Sequence, residues 1–232
     1  QICHTSGTTG APLEVPKSYE EVEFLQQYFT AMQRPLRAQA TPRPLSLSFP
    51  NFYHGSPVPL PGVGFGFVSG VTDDTLIRDA KRVLDQDYRI PGHDSRITLL
   101  SGLEHHLTFF THFLMEQGVN PADYRMTALS STGGYLAPHW RAFLHRAWNC
   151  QVNDRFTMTE TIAGAGRFMD TSVFVMDPIA IAEVIDLDTG EPLDEGVGAL
   201  AITNLYPFVQ MLPLIRYRTG DLVRRVRHPA EH

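Results

Sequence analysis

The sequence predicts an α/β layered fold: a parallel-sheet core followed by a β-rich C-terminal portion. Three observations carry that prediction. Some windows repeat apolar residues at helical spacing (Val22, Leu25, Phe29, Met32), while others alternate them as a half-buried strand does (Leu45, Leu47, Phe49). Two turn signals, Asp188-Thr189-Gly190 and Asp194-Glu195-Gly196, crowd into the last quarter between short apolar runs. A chain of 232 residues with 43% hydrophobic content buries a sizeable core without metal or disulfide staples. The predicted boundary places an α/β core at residues 1–172 and a β-rich subdomain at 173–232.

The elements follow in order. Residues 1–4 have strand character and run into a Gly/Ser/Thr loop. Ser18 and Glu21 have capping-box spacing ahead of the first helical face. The Leu45–Phe49 strand comes next, and residues near 73–87 read as helix. Ile97 to Leu100 reads as strand, with Ser101 as the cap of the following helix and Gly118 as its stop. Met126 to Leu129 reads as strand up to Gly133-Gly134. Pro138 suits a first helical turn, and that helix extends to about Asn149. A short strand at Gln151-Val152 leads into 153–160.

Composition excludes several classes. A net charge of −6 with a pI of about 5.9 argues against nucleic-acid binding through a general basic field. No apolar run approaches the roughly 20 residues of a membrane span, and no basic-plus-apolar signal segment follows Gln1. Two cysteines, Cys3 and Cys150, make no disulfide framework, so a reducing cytoplasm is the expected compartment. Of the 19 basic residues only Lys17 and Lys81 are lysines, which leaves few candidates for any lysine chemistry.

Three loops have residue types suited to chemistry. Thr5-Ser6-Gly7-Thr8-Thr9-Gly10 offers hydroxyls and unhindered backbone N–H groups, which suit polyphosphate oxygens as well as an ordinary surface loop. It has neither the spacing nor the lysine of a Walker A loop. Phe156-Thr157-Met158-Thr159-Glu160 fits a base-stacking, Mg²⁺-holding segment or a strand end with a solvated glutamate. Tyr217-Arg218-Thr219-Gly220-Asp221 fits an ordinary turn or a carboxylate that accepts a ribose diol.

In this order, with about 150 residues from the first loop to Glu160 and about 60 more to Asp221, the three motifs resemble the adenylate-forming superfamily. That superfamily includes acyl- and aryl-CoA ligases, peptide-synthetase adenylation domains and firefly luciferase. Pro213-Leu214-Ile215-Arg216-Tyr217-Arg218-Thr219-Gly220-Asp221-Leu222 looks most like the phenylacetate–CoA ligase branch. The resemblance covers essentially the whole chain. It implies that a carboxylic acid attacks the α-phosphate of Mg·ATP, giving an acyl-adenylate and pyrophosphate. The acyl group then passes to the thiol of coenzyme A or of a carrier protein's phosphopantetheine. Residues Thr5 to Gly10 would wrap the β- and γ-phosphates. Glu160 would hold Mg²⁺, with Thr159 near the α-phosphate. Phe156 would stack on adenine, whose other face would rest on Gly133-Gly134-Tyr135. Asp221 would take the ribose hydroxyls. Tyr53 and His54, in the stretch Pro50 to Gly55, would stand at the carboxylate end of the acyl substrate.

Two departures from the family pattern stand out. Thr157 replaces the usual glycine after the aromatic residue, and Leu13 follows the first-loop proline where lysine is usual. Pro50-Asn51 also lacks the aspartate that pairs a substrate ammonium, which favours an acid without an α-amine. Phe52, Tyr53, Phe65 and Phe67 point to an aryl or medium apolar acid. The alternatives are a domain that loads a carrier protein and a non-catalytic adenylate-binding module. The resemblance also implies enzymes about twice this length, with a small C-terminal domain that holds the adenylation lysine. Neither Lys17 nor Lys81 lies where the family places it. Residues 1–232 then read as a core that binds ATP weakly and turns over little by itself.

Other features read as structural. His105, His106 and His112 share one predicted helix, and a seven-residue separation spans about 10.5 Å, too far for one metal ion. Gly62 to Gly66 reads as close backbone packing, and Cys150 as a buried small apolar residue. Arg224, Arg225 and Arg227 read as a solvated cluster.

Overall fold

The computed structural model describes residues 2–4, 13–37, 42–49, 65–161, 163–167 and 171–227. In chain order the elements are β1 (Ile2–His4), β2 (Glu14–Pro16), α1 (Tyr19–Arg37), β3 (Arg43–Phe49) and β4 (Phe65–Val68). Next come α2 (Asp74–Asp85), β5 (His93–Gly102), α3 (Glu104–Glu116), β6 (Ala128–Thr132), α4 (Pro138–Trp148) and β7 (Gln151–Thr157). The chain continues with β8 (Gly164–Arg167), β9 (Phe174–Met176), β10 (Ala180–Ile185), β11 (Gly196–Asn204) and β12 (Tyr217–Arg225). The chain divides into two compact units. Among the described residues, one runs from Gln26 to Arg155, and the other combines residues up to Leu25 with those from Phe156 onward.

The first unit is a parallel α/β layer with strand order β4-β3-β5-β6-β7, every neighbouring pair parallel. Parallel strands need crossover connections, and α2 joins β4 to β5, α3 joins β5 to β6 and α4 joins β6 to β7. Leu45, Leu47 and Phe49 are all buried in β3, as the alternation predicts. In β5 the buried residues are Ile97 and Leu100, three positions apart. The register explains this: Leu45 pairs with Ile97 and Ser46 with Leu99, so Thr98 is an extra residue that turns the strand's inward face over.

The helices bury one face each against this sheet. Asp73 caps α2, its Oδ1 accepting from the N–H groups of Thr75 (2.8 Å) and Leu76 (2.9 Å). Ile77, Ala80 and Leu84 are the buried face of α2. Leu107, Phe110 and Leu114 of α3 and Leu144 and Trp148 of α4 complete the core. Phe110 meets Phe49 edge-on at 5.0 Å, and Trp148 Nε1 donates to Thr111 Oγ1 at 2.8 Å. The helix stops also follow the sequence reading. Gly118 adopts φ +74° while Val119 N–H bonds Leu114 O and Gly118 N–H bonds Met115 O, a Schellman ending. Pro138 occupies the first turn of α4, and Asn149 closes that helix at φ 50°.

One predicted cap is corrected. Ser101 does not cap α3: it lies within β5, where its Oγ bonds Ser48 Oγ at 2.8 Å across the parallel pair. The helix instead starts after Leu103, which has no side-chain cap and is buried. Ladder pairing of β5 with β3 and β6 continues through Gly102, so the strand outcompetes the cap. Two of the α3 histidines make packing or hydrogen-bond contacts. His106 is buried with Nδ1 against Phe49 O at 3.2 Å, and burial lowers its pKa. His112 stacks on Phe143 at 4.8 Å. No metal-binding cluster of His, Cys, Asp or Glu occurs among the described residues. Gly66 packs closely, since a Cβ there would sit 3.1 Å from Ser46 Oγ, while 62–64 lie outside the described residues.

The second unit is antiparallel: β1 with β2, β8 with β9, and the meander β10-β11-β12. The Asp188-Thr189-Gly190 turn forms as predicted, held by a carboxylate two positions before it. Asp186 Oδ1 accepts from Thr189 N–H (2.8 Å), Thr189 Oγ1 (3.0 Å) and Asp188 N–H (3.0 Å), which holds its pKa below the ordinary value. Acidic residues of 183–195 and arginines of 216–227 meet on this meander. Arg216 pairs with Glu183 at 3.2 Å and Arg227 with Glu195 at 3.5 Å, exposed contacts of small energetic weight.

The Ser18/Glu21 capping box forms at the start of α1: Ser18 Oγ accepts from Glu21 N–H at 3.1 Å, and Glu21 Oε2 accepts from Ser18 N–H. Glu21 is only 1% exposed, and its Oε1 also accepts from Gln210 N–H (2.6 Å) and Met211 N–H (3.1 Å). Phe24 packs edge-on against Phe208 at 6.0 Å beside this link. The side chains of Phe29 and Met32 lie outside the described residues.

Two outcomes follow from this packing. Glu21→Ala strands three backbone N–H groups and lowers stability to urea by about 2–4 kcal/mol, with Glu21→Gln intermediate because an amide oxygen still accepts. Cys150 is buried, and burial pushes its thiol from 9.0 up to about 11. In a Cys3→Ser background, native Cys150 reacts with Ellman's reagent at pH 8 about a hundredfold more slowly than the urea-unfolded chain, because the raised pKa cuts the thiolate fraction by about that factor.

Candidate functional site

The fold delivers part of the expected site in each unit. In the parallel unit, Gly133, Gly134 and Tyr135 follow the carboxyl end of β6, the edge at which open parallel sheets hold their ligands. All three are exposed, Tyr135 to 72%. Gly133 adopts φ +83°, the left-handed region that favours glycine, and a Cβ there would displace the Leu103 side chain, whose Cδ2 would lie 2.9 Å away. The result is an uncovered stretch of backbone beside an accessible aromatic ring.

The other unit holds Phe156, Thr157, Thr159, Glu160 and Asp221. Phe156 and Thr157 end strand β7, the former half-buried and the latter exposed. Thr159 and Glu160 lie beyond the strand in irregular backbone, and three distant side chains hold them. Lys17 Nζ donates to Thr159 O at 3.1 Å across 142 positions of sequence. Asn204 Nδ2 donates to Glu160 O at 3.4 Å and to Leu212 O at 3.1 Å. Tyr217 OH donates to the Glu160 carboxylate, reaching Oε1 at 3.3 Å. Burial raises the Tyr217 pKa, and the Glu160 charge raises it further, so the phenol stays protonated as a donor at neutral pH. Glu160 is half-buried and has no cationic side chain within ion-pair distance among the described residues.

Asp221 is exposed in β12, next to Gly220 at φ +88°. Its Oδ2 accepts from Thr219 Oγ1 at 2.8 Å, and its own N–H donates to the same hydroxyl at 3.1 Å. This local ring fixes one carboxylate oxygen and leaves Oδ1 with no protein donor among the described residues. Tyr217 and Asp221 sit four residues apart on one strand, so Glu160 and the aspartate are linked through β12. Thr5, Ser6, Gly7, Thr8, Thr9, Gly10, Phe52, Tyr53 and His54 lie outside the described residues.

Sequence reasoning did not single out Lys17, Asn204 or Tyr217 as site residues. The scarcity of lysine drew attention to Lys17, and Tyr217 stood inside a quoted motif. Asn204 gave no signal, being one polar residue at the end of an apolar strand. It is 8% exposed, and its Oδ1 is buried without a hydrogen-bond partner among the described residues.

Comparisons with known proteins place the fold. No family model matches the chain. A phenylacetate–coenzyme A ligase of Thermus thermophilus is 56% identical over 43 residues, 18% of this chain and 9% of that protein. An open-conformation crystal structure of 2-hydroxyisobutyryl-CoA ligase, in complex with 2-HIB-AMP and CoA, superposes with a TM-score of 0.75 at 17% identity, covering 96% of this chain and 48% of that one. ATP-bound MatB from Rhodopseudomonas palustris gives 0.63 at 22% identity, covering 90% and 39%. The chain thus spans about half the length of the first of these structures, and less of the second. Its fold is that of these ligase-type structures, in agreement with the resemblance drawn from the motifs.

Replacing Asn204 by alanine removes the donor to two carbonyls on separate segments. Stability to urea falls by about 1–3 kcal/mol, and loss of protection at neighbouring amides, read by hydrogen exchange, extends into 159–161 and 212–214.

Proposed function

We propose that the protein containing this chain activates a carboxylic acid with ATP, forming an acyl-adenylate and pyrophosphate, and passes the acyl group to a thiol. The observation that carries this reading is the ordered set of three motifs on a fold shared with CoA ligases. In this reading the acid is aryl or medium apolar and lacks an α-amine, and coenzyme A is the acceptor.

The described residues fit a magnesium nucleotide. Mg²⁺ prefers carboxylate oxygens and keeps several waters, and Glu160 offers a half-buried carboxylate that forms no ion pair among the described residues. Bound there, Mg²⁺ would neutralise phosphate charge. The chain's own residues then have distinct tasks. Glu160 holds the cation, with Thr159 beside the α-phosphate. Asp221 accepts the ribose hydroxyls through Oδ1, while Thr219 keeps Oδ2 occupied. Phe156 offers its ring to adenine, a task that the family resemblance also gives to the backbone of Gly133-Gly134-Tyr135. Thr5 to Gly10 wrap the β- and γ-phosphates, and Tyr53 and His54 orient the acid's carboxylate. Such a site works by positioning and charge neutralisation rather than by covalent attack from the protein.

Two measurements test this. The whole protein exchanges labelled pyrophosphate into ATP only when a suitable acid is present, and silence across a broad acid panel would sink the proposal. Asp221→Ala weakens ATP binding by about tenfold, the effect of losing one good hydrogen bond to a charged group, without altering the far-ultraviolet circular dichroism.

A further inference from the structure

The three side chains that hold the Thr159–Glu160 corner do so in different ways. Lys17 and Asn204 grip backbone carbonyls. Only Tyr217, among the described residues, touches the carboxylate itself. We propose that Tyr217 is a positioning residue for Glu160: its hydroxyl anchors Oε1, leaving Oε2 for a divalent cation, and couples the cation-holding carboxylate to the strand that contains the Asp221 turn. The inference rests on the reading of Glu160 as the Mg²⁺-binding carboxylate.

The choice of partner matters chemically. A lysine or arginine at this place would pair with the carboxylate and compete with the cation for its charge. A phenol restrains the group while leaving it anionic. The restraint is needed because Glu160 stands in irregular backbone, where a free carboxylate loses rotamer freedom on binding a cation. Tyr217 is itself fixed, since it opens β12 and pairs with Ile202 of β11. At 3.3 Å the contact is long for an O–H···O bond and adds little to folding stability. Its consequence belongs to cation binding, where the carboxylate must already be in place.

The test is calorimetric titration of the whole protein containing this chain with ATP, in EDTA and across a series of Mg²⁺ concentrations. It compares the unaltered protein with Tyr217→Phe, Glu160→Gln and the double variant. Tyr217→Phe is expected to raise the Mg²⁺ concentration for half-maximal enhancement of ATP binding by about two- to tenfold, the range for one net hydrogen bond. Affinity for metal-free ATP and the melting temperature stay unchanged, and the substitution has no further effect in the Glu160→Gln background. A Tyr217→Phe effect of equal size with and without Mg²⁺, or no effect while Glu160→Gln abolishes the Mg²⁺ dependence, overturns the positioning role and leaves the reading of Glu160 intact. A Mg²⁺ dependence that survives Glu160→Gln unchanged, or is missing from the unaltered protein, overturns that reading and the inference with it.

Discussion

A carboxylate with 1% exposure must find partners for its oxygens, and Glu21 finds them in two places at once. One oxygen closes the capping box on Ser18, and the other takes the N–H groups of Gln210 and Met211. That requirement organises the antiparallel unit, because it joins the start of α1 to the segment that precedes β12. Lys17, next to Ser18, is thereby placed to reach Thr159, and the segment leading from Met211 is placed so that Asn204 can reach Leu212. Each link satisfies a polar group that would otherwise be costly to shield from water.

The parallel unit follows a different constraint. Its five strands are joined by ladder hydrogen bonds, which in β5 continue through Gly102, and its helices bury their apolar faces in the same core. Strand pairing took precedence over local capping at Ser101, whose hydroxyl serves Ser48 instead of an amide. The extra residue Thr98 shows the same priority, since the strand keeps its pairing by changing which face turns inward. At the carboxyl edge, where pairing ends, the backbone of Gly133-Gly134 is left uncovered.

The chemistry assembled around Glu160 is sparse. It comprises one carboxylate, a neutral phenol donor and two carbonyl anchors, with no protein cation paired to the carboxylate among the described residues. The backbone anchors serve the fold, while the carboxylate itself has only the Tyr217 phenol as a partner among the described residues. In the proposed reading, the Mg²⁺ of a magnesium nucleotide would be the cation that pairs with this carboxylate.

Much of the fold was legible in the sequence, because the devices involved act within a few residues. The Ser18/Glu21 box, the Gly118 stop, the Pro138 start, the Asp188-Thr189-Gly190 turn and the alternation through β3 all depend on neighbours at fixed short offsets, so residue type and spacing sufficed. The motif order and the fold class were readable for the same reason. What the tertiary structure alone decided lies at long separation: the second pair of donors to Glu21, 189 and 190 positions away, the Lys17–Thr159 and Tyr217–Glu160 contacts, and the loss of the Ser101 cap to a neighbouring strand. These depend on which backbone groups remain unsatisfied once elements pack together. Local sequence carries no record of that choice, since many polar residues are able to make each contact and only the folded geometry selects one.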